Sequence, residues 1–484
     1  MLLRDTQGKT FQYGITAACG AGFLLFGYDQ GVFGGLLDNE PFLKMFGYPG
    51  ATIQGQIVPT YDIGCIIGTL VSMYAGDKLG RRRSILIGCL ILIVGAILQT
   101  ASYSLGQMIT GRQTETARPN DRGKLIIFQL VTNIFGIVIA NWMNYGFTFI
   151  PHSSVSWRFP LAFQCFSIVT VALVLITPES PRWLIMKNRV SEAQNILARL
   201  LSKPDDHPSV ASEINNLVAA VQHEAEVQKS VALKEIFTRN SKQQMLRCTN
   251  VIAYYLPVVL TRSVGLSSRM ALILSAVDSM SLMFWGSMAA LLIDRVGRKK
   301  LMLMGVAASS VCFALVAVGL RYGGPDNKGM SIMAVVFIFV YYVFCGMPLL
   351  LIPYIYPAEI NSQKTRNIGT SFATTVNWLF VYVVVVATPT AIQNIQWRYY
   401  MLYAIFNFCF IPLIHYFYVE TATLSLEQVD RLFEIKYEAG KDMSWADATR
   451  IARTESDDLQ MSVEKDGIDA EHCEIAPLNN IEYS

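Results

Sequence analysis

The chain has 484 residues, of which 52% are hydrophobic and only 15% charged, and its mean hydropathy is +0.37. Soluble domains carry about a quarter charged residues, so this composition excludes an ordinary water-soluble protein and calls for lipid as the solvent. A net charge of +3, with the basic residues gathered in short loops, excludes a nucleic-acid-binding surface.

Apolar runs long enough to cross a ~30 Å hydrocarbon core, about 20 residues as a helix, recur along the chain. The first, 11–35, is longer than a signal-peptide core and lacks a small-residue cleavage site, so it reads as a span. Further spans are expected at 56–76, 84–103, 124–149 and 157–177. A polar stretch, 181–247, with helix-like segments such as 191–201, then divides the chain. Beyond it lie 248–260, which is short, and 268–293, 301–320, 331–356, 370–391 and 400–418. All are read as helices, because only helices or closed barrels satisfy the backbone inside lipid. From Glu420 the tail is soluble in composition, and its acidic end, 455–474, is expected to be disordered. The expected domains are an N-terminal transmembrane bundle (1–180), a cytoplasmic helical linker (181–247), a C-terminal transmembrane bundle (248–420) and a cytoplasmic tail (421–484). The nine cysteines lie mostly inside apolar runs without metal-ligand spacing, which points to buried thiols. No cofactor, metal or enzyme motif competes.

The two halves repeat each other. Gly76-Asp77-Lys78-Leu79-Gly80-Arg81-Arg82-Arg83 recurs as Asp294-Arg295-Val296-Gly297-Arg298-Lys299-Lys300, and Glu115 with Arg122 recurs as Glu359 with Arg366. Pro178-Glu179-Ser180 is matched by Val419-Glu420-Thr421. Three motifs in one order argue for a duplication, an arrangement common in transporters. The repeat also serves as a ruler. Asp294 and Glu359 stand about 65 positions apart but Asp77 and Glu115 only about 38, so the first half is short by about 27 residues, roughly one span. The basic loops should all be cytoplasmic, yet only one apolar run, 84–103, lies between the loops at 78–83 and 118–124. The region 105–120 is too short and polar for a second full span, so it is either re-entrant or distorted, or has lost part of a helix. The apolar part of the seventh span, 251–260, would reach only ~15 Å as a helix.

Within the repeated loops, glycine permits a tight turn, and Asp and Arg can pair across helix ends. Positive-inside anchoring would explain the arginines alone. The matched Asp77, Gly80, Arg81 and Arg82 against Asp294, Gly297 and Arg298 point instead to a gate. Asp29 lies inside an apolar span, where an ionisable residue is costly and faces a partner or a cavity. Its alternative role is a hydrogen bond near the outer helix end.

Gly27-Tyr28-Asp29-Gln30-Gly31-Val32, the two Gly-Arg-Arg/Lys loops, Pro178-Glu179-Ser180-Pro181-Arg182-Trp183-Leu184, Tyr356-Pro357-Ala358-Glu359-Ile360 and Glu420-Thr421 with Leu424-Ser425-Leu426-Glu427 together resemble the fungal sugar porters of the major facilitator superfamily. The resemblance covers roughly Phe11 to Phe433. It implies an all-α polytopic membrane protein of two pseudo-symmetric six-helix bundles, here with the fourth helix largely missing and the seventh shortened. It further implies transport of a hexose or related polyol by alternating access, coupled to protons, by a monomer in the plasma membrane with both termini cytoplasmic. Asp29 would then be the proton-carrying acid and Arg112 its partner. Amides, hydroxyls and aromatic faces suit a sugar, and the matching positions are Gln129, Asn250, Tyr254, Tyr255, Tyr354, Asn377 and Trp378. Glu115, Arg122, Glu179, Arg182, Glu359, Arg366 and Glu420 would form the cytoplasmic gate network. The rivals are a non-transporting sugar sensor and an inactive, truncated variant.

Overall fold

In the computed structural model the apolar runs are helices. The described residues are 7–37, 39–50, 53, 56–57, 59–114, 125–150, 153–229, 267–324, 327–361, 366–422, 424, 426–439, 443–445 and 447–454. The first half holds α1 (Gly8–Leu36), a short α2 (Glu40–Met45), α3 (Thr60–Leu79), α4 (Arg81–Thr100), α5 (Leu105–Thr114) and α6 (Leu125–Phe147). Its last span is broken into α7 (Val155–Ala162), a 3-10 turn at Phe163–Phe166 and α8 (Ser167–Ile176). The break follows Pro160, which cannot supply a helical N–H, and the Pro160 carbonyl accepts the Tyr28 hydroxyl at 2.8 Å.

Packing of α1 on α6 follows from sequence spacing. Gly27, Gly31 and Gly35 recur every fourth residue and form one stripe, and α6 lies directly against it. A Cβ on Gly27 would sit 1.7 Å from the Asn133 carbonyl oxygen, and one on Gly136 of α6 would sit 2.0 Å from the Leu24 carbonyl oxygen. Backbones this close need small residues, the usual basis of helix association in lipid. The Asn144 amide closes the seam by donating to the Val32 carbonyl at 2.9 Å.

Three helices follow the first bundle: α9 (Pro181–Met186), α10 (Val190–Leu201) and α11 (Pro208–Lys229). They share an apolar core of Leu184, Ile185, Ile196, Leu197, Val210 and Ile214. Phe11 from the first turns of α1 enters that core, with the Arg199 guanidinium 4.2 Å above its ring. The seventh span lies outside the described residues. The second half continues with α12 (Ser268–Val296), α13 (Arg298–Tyr322), α14 (Lys328–Phe344), a π-helical turn at Cys345–Leu349, α15 (Ile352–Ile360), α16 (Arg366–Ile395) and α17 (Arg398–Phe417).

Among the described residues seven helices are long and apolar enough to cross a membrane. Ile168, Leu291 and Phe408 are about two-thirds exposed, an arrangement that lipid tolerates and water does not. In the region expected to hold a largely missing fourth helix, α5 is described over Leu105–Thr114, and residues 115–124 after it lie outside the described ones. This helix folds back on α4, where the Gln107 amide donates to the carbonyls of Leu98 (3.2 Å) and Ala101 (3.3 Å). Among the described residues the halves meet where α3 lies on α16 and α6 lies on α12.

The C-terminal unit after Ala422 contains α18 (Leu426–Ala439). Within it Phe433 packs edge-on against Trp445 at 5.6 Å, and the Lys436 amine stands 5.7 Å from the same indole.

Candidate functional site

The repeated motifs build one device twice, at the start of α4 and at the start of α13. Gly80 precedes α4 with φ 82° and ψ 163°, and Gly297 precedes α13 with φ 96° and ψ 151°. This backbone region is essentially reserved for glycine. It turns the first amides of each helix toward a carboxylate. Glu179 accepts the Arg82 N–H through both oxygens, at 3.1 and 3.2 Å. Glu420 accepts the Arg298 N–H at 2.7 Å and the Lys299 N–H at 3.1 Å. Helix starts leave such amides without intrahelical partners and carry partial positive charge, so a carboxylate stabilises them by about 0.3–2 kcal/mol. Space is a second reason for the glycines. A Cβ at Gly80 would meet Glu179 Oε2 at 3.0 Å, and one at Gly297 would meet Glu420 Oε2 at 2.5 Å.

The arginine side chains extend the caps differently. Arg82 donates to the Leu175 carbonyl at 2.5 Å. Arg298 pairs with Glu359 at 3.1 Å and donates to the Ile293 carbonyl at 3.3 Å. Glu359 also accepts the Thr421 hydroxyl at 2.5 Å. Arg182 lies in the first turn of α9. Asp77, Arg81, Asp294 and Arg366 belong to α3, α4, α12 and α16, with no side-chain geometry described, and Glu115 and Arg122 lie outside the described residues.

Further into the molecule the halves meet through polar and aromatic side chains. Phe26 of α1 and Tyr61 of α3 stand 6.0 and 6.3 Å from Trp378 of α16, both edge-on, and 5.9 Å from each other. The Thr69 and Thr375 hydroxyls meet at 3.0 Å, and the Asn141 amide donates to the Ser279 hydroxyl at 2.7 Å. Asn377 is half-buried beside Trp378. Asp29 is fully buried on α1. At 3.6 residues per turn it points about 160° away from the glycine stripe, toward the side that carries Phe26. Arg112, Gln129 and Tyr354 lie on α5, α6 and α15 without described side chains, so the structure places only their backbones. Asn250, Tyr254 and Tyr255 lie outside the described residues.

Four residues of this interior escaped the motif reading. Phe26 and Tyr61 look like packing residues in an apolar run. Asn133 is buried, with an amide nitrogen that makes no hydrogen bond. Asp278 is, like Asp62, a further buried acid inside an expected span, and the signal that marks Asp29 marks it equally.

Two helical halves that repeat the same carboxylate-capped loop, joined by a separate helical layer and faced with apolar side chains, define a multi-pass membrane transporter of the major facilitator fold. The chain belongs to the Sugar (and other) transporter family, whose profile matches residues 14–113 and 113–433. It is 37% identical to the MFS-type transporter oryC of Aspergillus oryzae over 463 residues, 88% of this chain and 86% of that protein. It is 32% identical to the sugar transporter STL1 of Saccharomyces cerevisiae, over 90% of this chain and 83% of that one. Among solved structures it resembles the proton:xylose symporter XylE bound to 6-bromo-6-deoxy-D-glucose. The TM-score is 0.71 at 21% identity, covering 88% of this chain and 99% of that one. At that identity the likeness shows the fold.

Proposed function

We propose that this chain carries a monosaccharide or related polyol across the membrane by alternating access, coupled to a proton. The observation that carries the reading is the junction of Phe26, Tyr61 and Trp378, where aromatic rings from both halves meet at one place. Aromatic faces stack on sugar rings, and amides such as Asn377 match their hydroxyls. The names of the relatives, a sugar transporter and a proton:xylose symporter, support the same substrate class. Buried Asp29 supplies the acid. In this reading substrate binding moves Arg112 relative to Asp29, and that change of nearby charge switches the proton. Gln129, Asn250, Tyr254, Tyr255 and Tyr354 complete the substrate contacts in this reading.

The caps at Gly80 and Gly297, with Asp77, Arg81, Glu115, Arg122, Arg182, Asp294 and Arg366, form the inner gate. Exposed pairs contribute about 0–1 kcal/mol each, so they act by breaking and re-forming between two states. The protein works as a monomer in the plasma membrane, with the basic loops and both termini cytoplasmic. Expression in yeast lacking hexose carriers should give saturable uptake of labelled hexose, and uptake equal to the empty vector refutes the reading. Asp29→Asn should abolish uphill accumulation while leaving exchange. Unchanged accumulation would make Asp29 structural.

A second reading has its own observation. The family match breaks at residue 113, where the repeat is short by about 27 residues, roughly one span. In this reading the chain is a carrier missing part of one wall of its site, and it is slow or silent. Inserting the corresponding segment of an intact relative between Arg112 and Gln113 should raise hexose uptake. An unchanged rate refutes the second reading.

A further inference from the structure

Asp278 is 1% exposed on α12, about 15 Å along the helix from its first residue and inside the apolar stretch Arg269–Ile293. Neither carboxyl oxygen has a hydrogen-bond partner. The hydroxyls beside it on the same helix are committed elsewhere. Ser275 donates to the Ala271 carbonyl and Ser279 to the Ser275 carbonyl, each at 2.8 Å, and Ser279 also accepts the Asn141 amide of α6 at 2.7 Å. Among the described residues the ionisable groups facing Asp278 are Tyr341, Tyr342 and Cys345, all where α14 runs into the π-helical turn. None of them is a cation, and the described α6 group bonded at the neighbouring Ser279 is the neutral Asn141 amide.

One turn further along α12 the helices touch. A Cβ on Gly346 would lie 3.1 Å from Leu282 Cδ1 and 3.3 Å from the Leu282 carbonyl oxygen. The π-helical turn Cys345–Leu349 contains Pro348. Such turns recur at functional sites, and their wider hydrogen-bond spacing makes them natural places for a helix to shift. Ser279 adjoins Asp278 and is the residue through which α12 bonds to the first half, so relative movement of the halves is felt at this acid.

A carboxylate in an apolar interior is expensive unless something cancels its charge, whereas the neutral acid is tolerated. We propose that Asp278 is a proton-carrying site of the C-terminal half. Its carboxylate accepts a proton from water while the α12–α14 contact is open to one side. It holds that proton as the neutral acid when the contact closes, and returns it to water on the other side. One proton is taken up and one released per cycle, with no other bond made or broken. The coupling role rests on the transport reading above, but the presence of the proton does not.

The test uses full-length protein in liposomes, with wild type, Asp278→Asn, Asp278→Glu and Asp29→Asn side by side. Infrared spectra at neutral pH should show a protonated-carboxyl stretch that vanishes in Asp278→Asn, remains but moves in Asp278→Glu, and persists in Asp29→Asn. Thermal unfolding confirms that Asp278→Asn is folded. A spectrum unaltered by Asp278→Asn overturns the proposal. In uptake of labelled hexose driven by a pH gradient, Asp278→Asn should fall to simple equilibration while counterflow persists. Accumulation at the wild-type level in Asp278→Asn overturns the coupling role. If the wild type accumulates nothing, the transport reading fails, and the infrared arm still decides whether Asp278 holds a proton.

Discussion

The helix caps at Gly80 and Gly297 are the same device, but their surroundings differ. Glu420 lies 2.7 Å from the first amide it accepts, where Glu179 stands 3.1 and 3.2 Å from its own. Around Gly80 the remaining space is filled by the Trp183 indole of α9, 2.9 Å from where a Cβ would be. Around Gly297 the cap is extended by charge, through the Arg298–Glu359 pair and Thr421. The described packing of the first copy ties its bundle to the helical layer through Trp183, and the described ion pair of the second ties helix ends of its own bundle. Size changes should hurt both copies, and loss of the Glu359 charge should hurt the second.

Gly297→Ala should have the largest effect. It forces an L-residue into a glycine-only backbone region and drives a Cβ against the Glu420 carboxylate, for a loss of about 3 kcal/mol. Gly80→Ala should cost about 2 kcal/mol, because its carboxylate is further away. Thermal unfolding of the two purified variants ranks them, and a larger loss at Gly80 would break the comparison. Glu359→Gln removes the charge that the mostly buried Arg298 guanidinium pairs with at 3.1 Å and should cost about 1–3 kcal/mol. Arg82→Lys should cost about 0.5 kcal/mol or less, since the described contact of that side chain is a single exposed bond to a carbonyl. Equal losses in these two variants would show that charge matters alike in both halves.

Much of the fold was legible because membrane spans announce themselves by composition alone. The expected 301–320 and 400–418 became Arg298–Tyr322 and Arg398–Phe417. The internal repeat located both loops and both glutamates. It did not reveal that loop and glutamate are one object, because Glu179 reaches the Arg82 amide across 97 positions of sequence, and only the folded bundle brings them together. The side chains of Asp77, Arg81 and Asp294, expected to pair across helix ends, lie outside the described ones. The described bonds have backbone amides donating to Glu179 and Glu420, a partner with no signature in the sequence. Trp378 was named as a sugar contact from its motif position. Its neighbours Phe26 and Tyr61 were not, since an aromatic in an apolar helix looks the same whether it packs or binds. Asp278 was legible by the rule applied to Asp29, but it belongs to no repeated motif that would draw attention to it.

The central claim is that the two halves enclose a sugar site at the Phe26–Tyr61–Trp378 junction and expose it alternately to either side. Counterflow in liposomes tests it most directly, because exchange of labelled for unlabelled hexose needs a binding site and both orientations but no gradient. The account predicts saturable counterflow by the wild type that is lost in Trp378→Ala, with the variant still folded. Counterflow by the wild type no faster than in empty liposomes, or undiminished by Trp378→Ala, would contradict it.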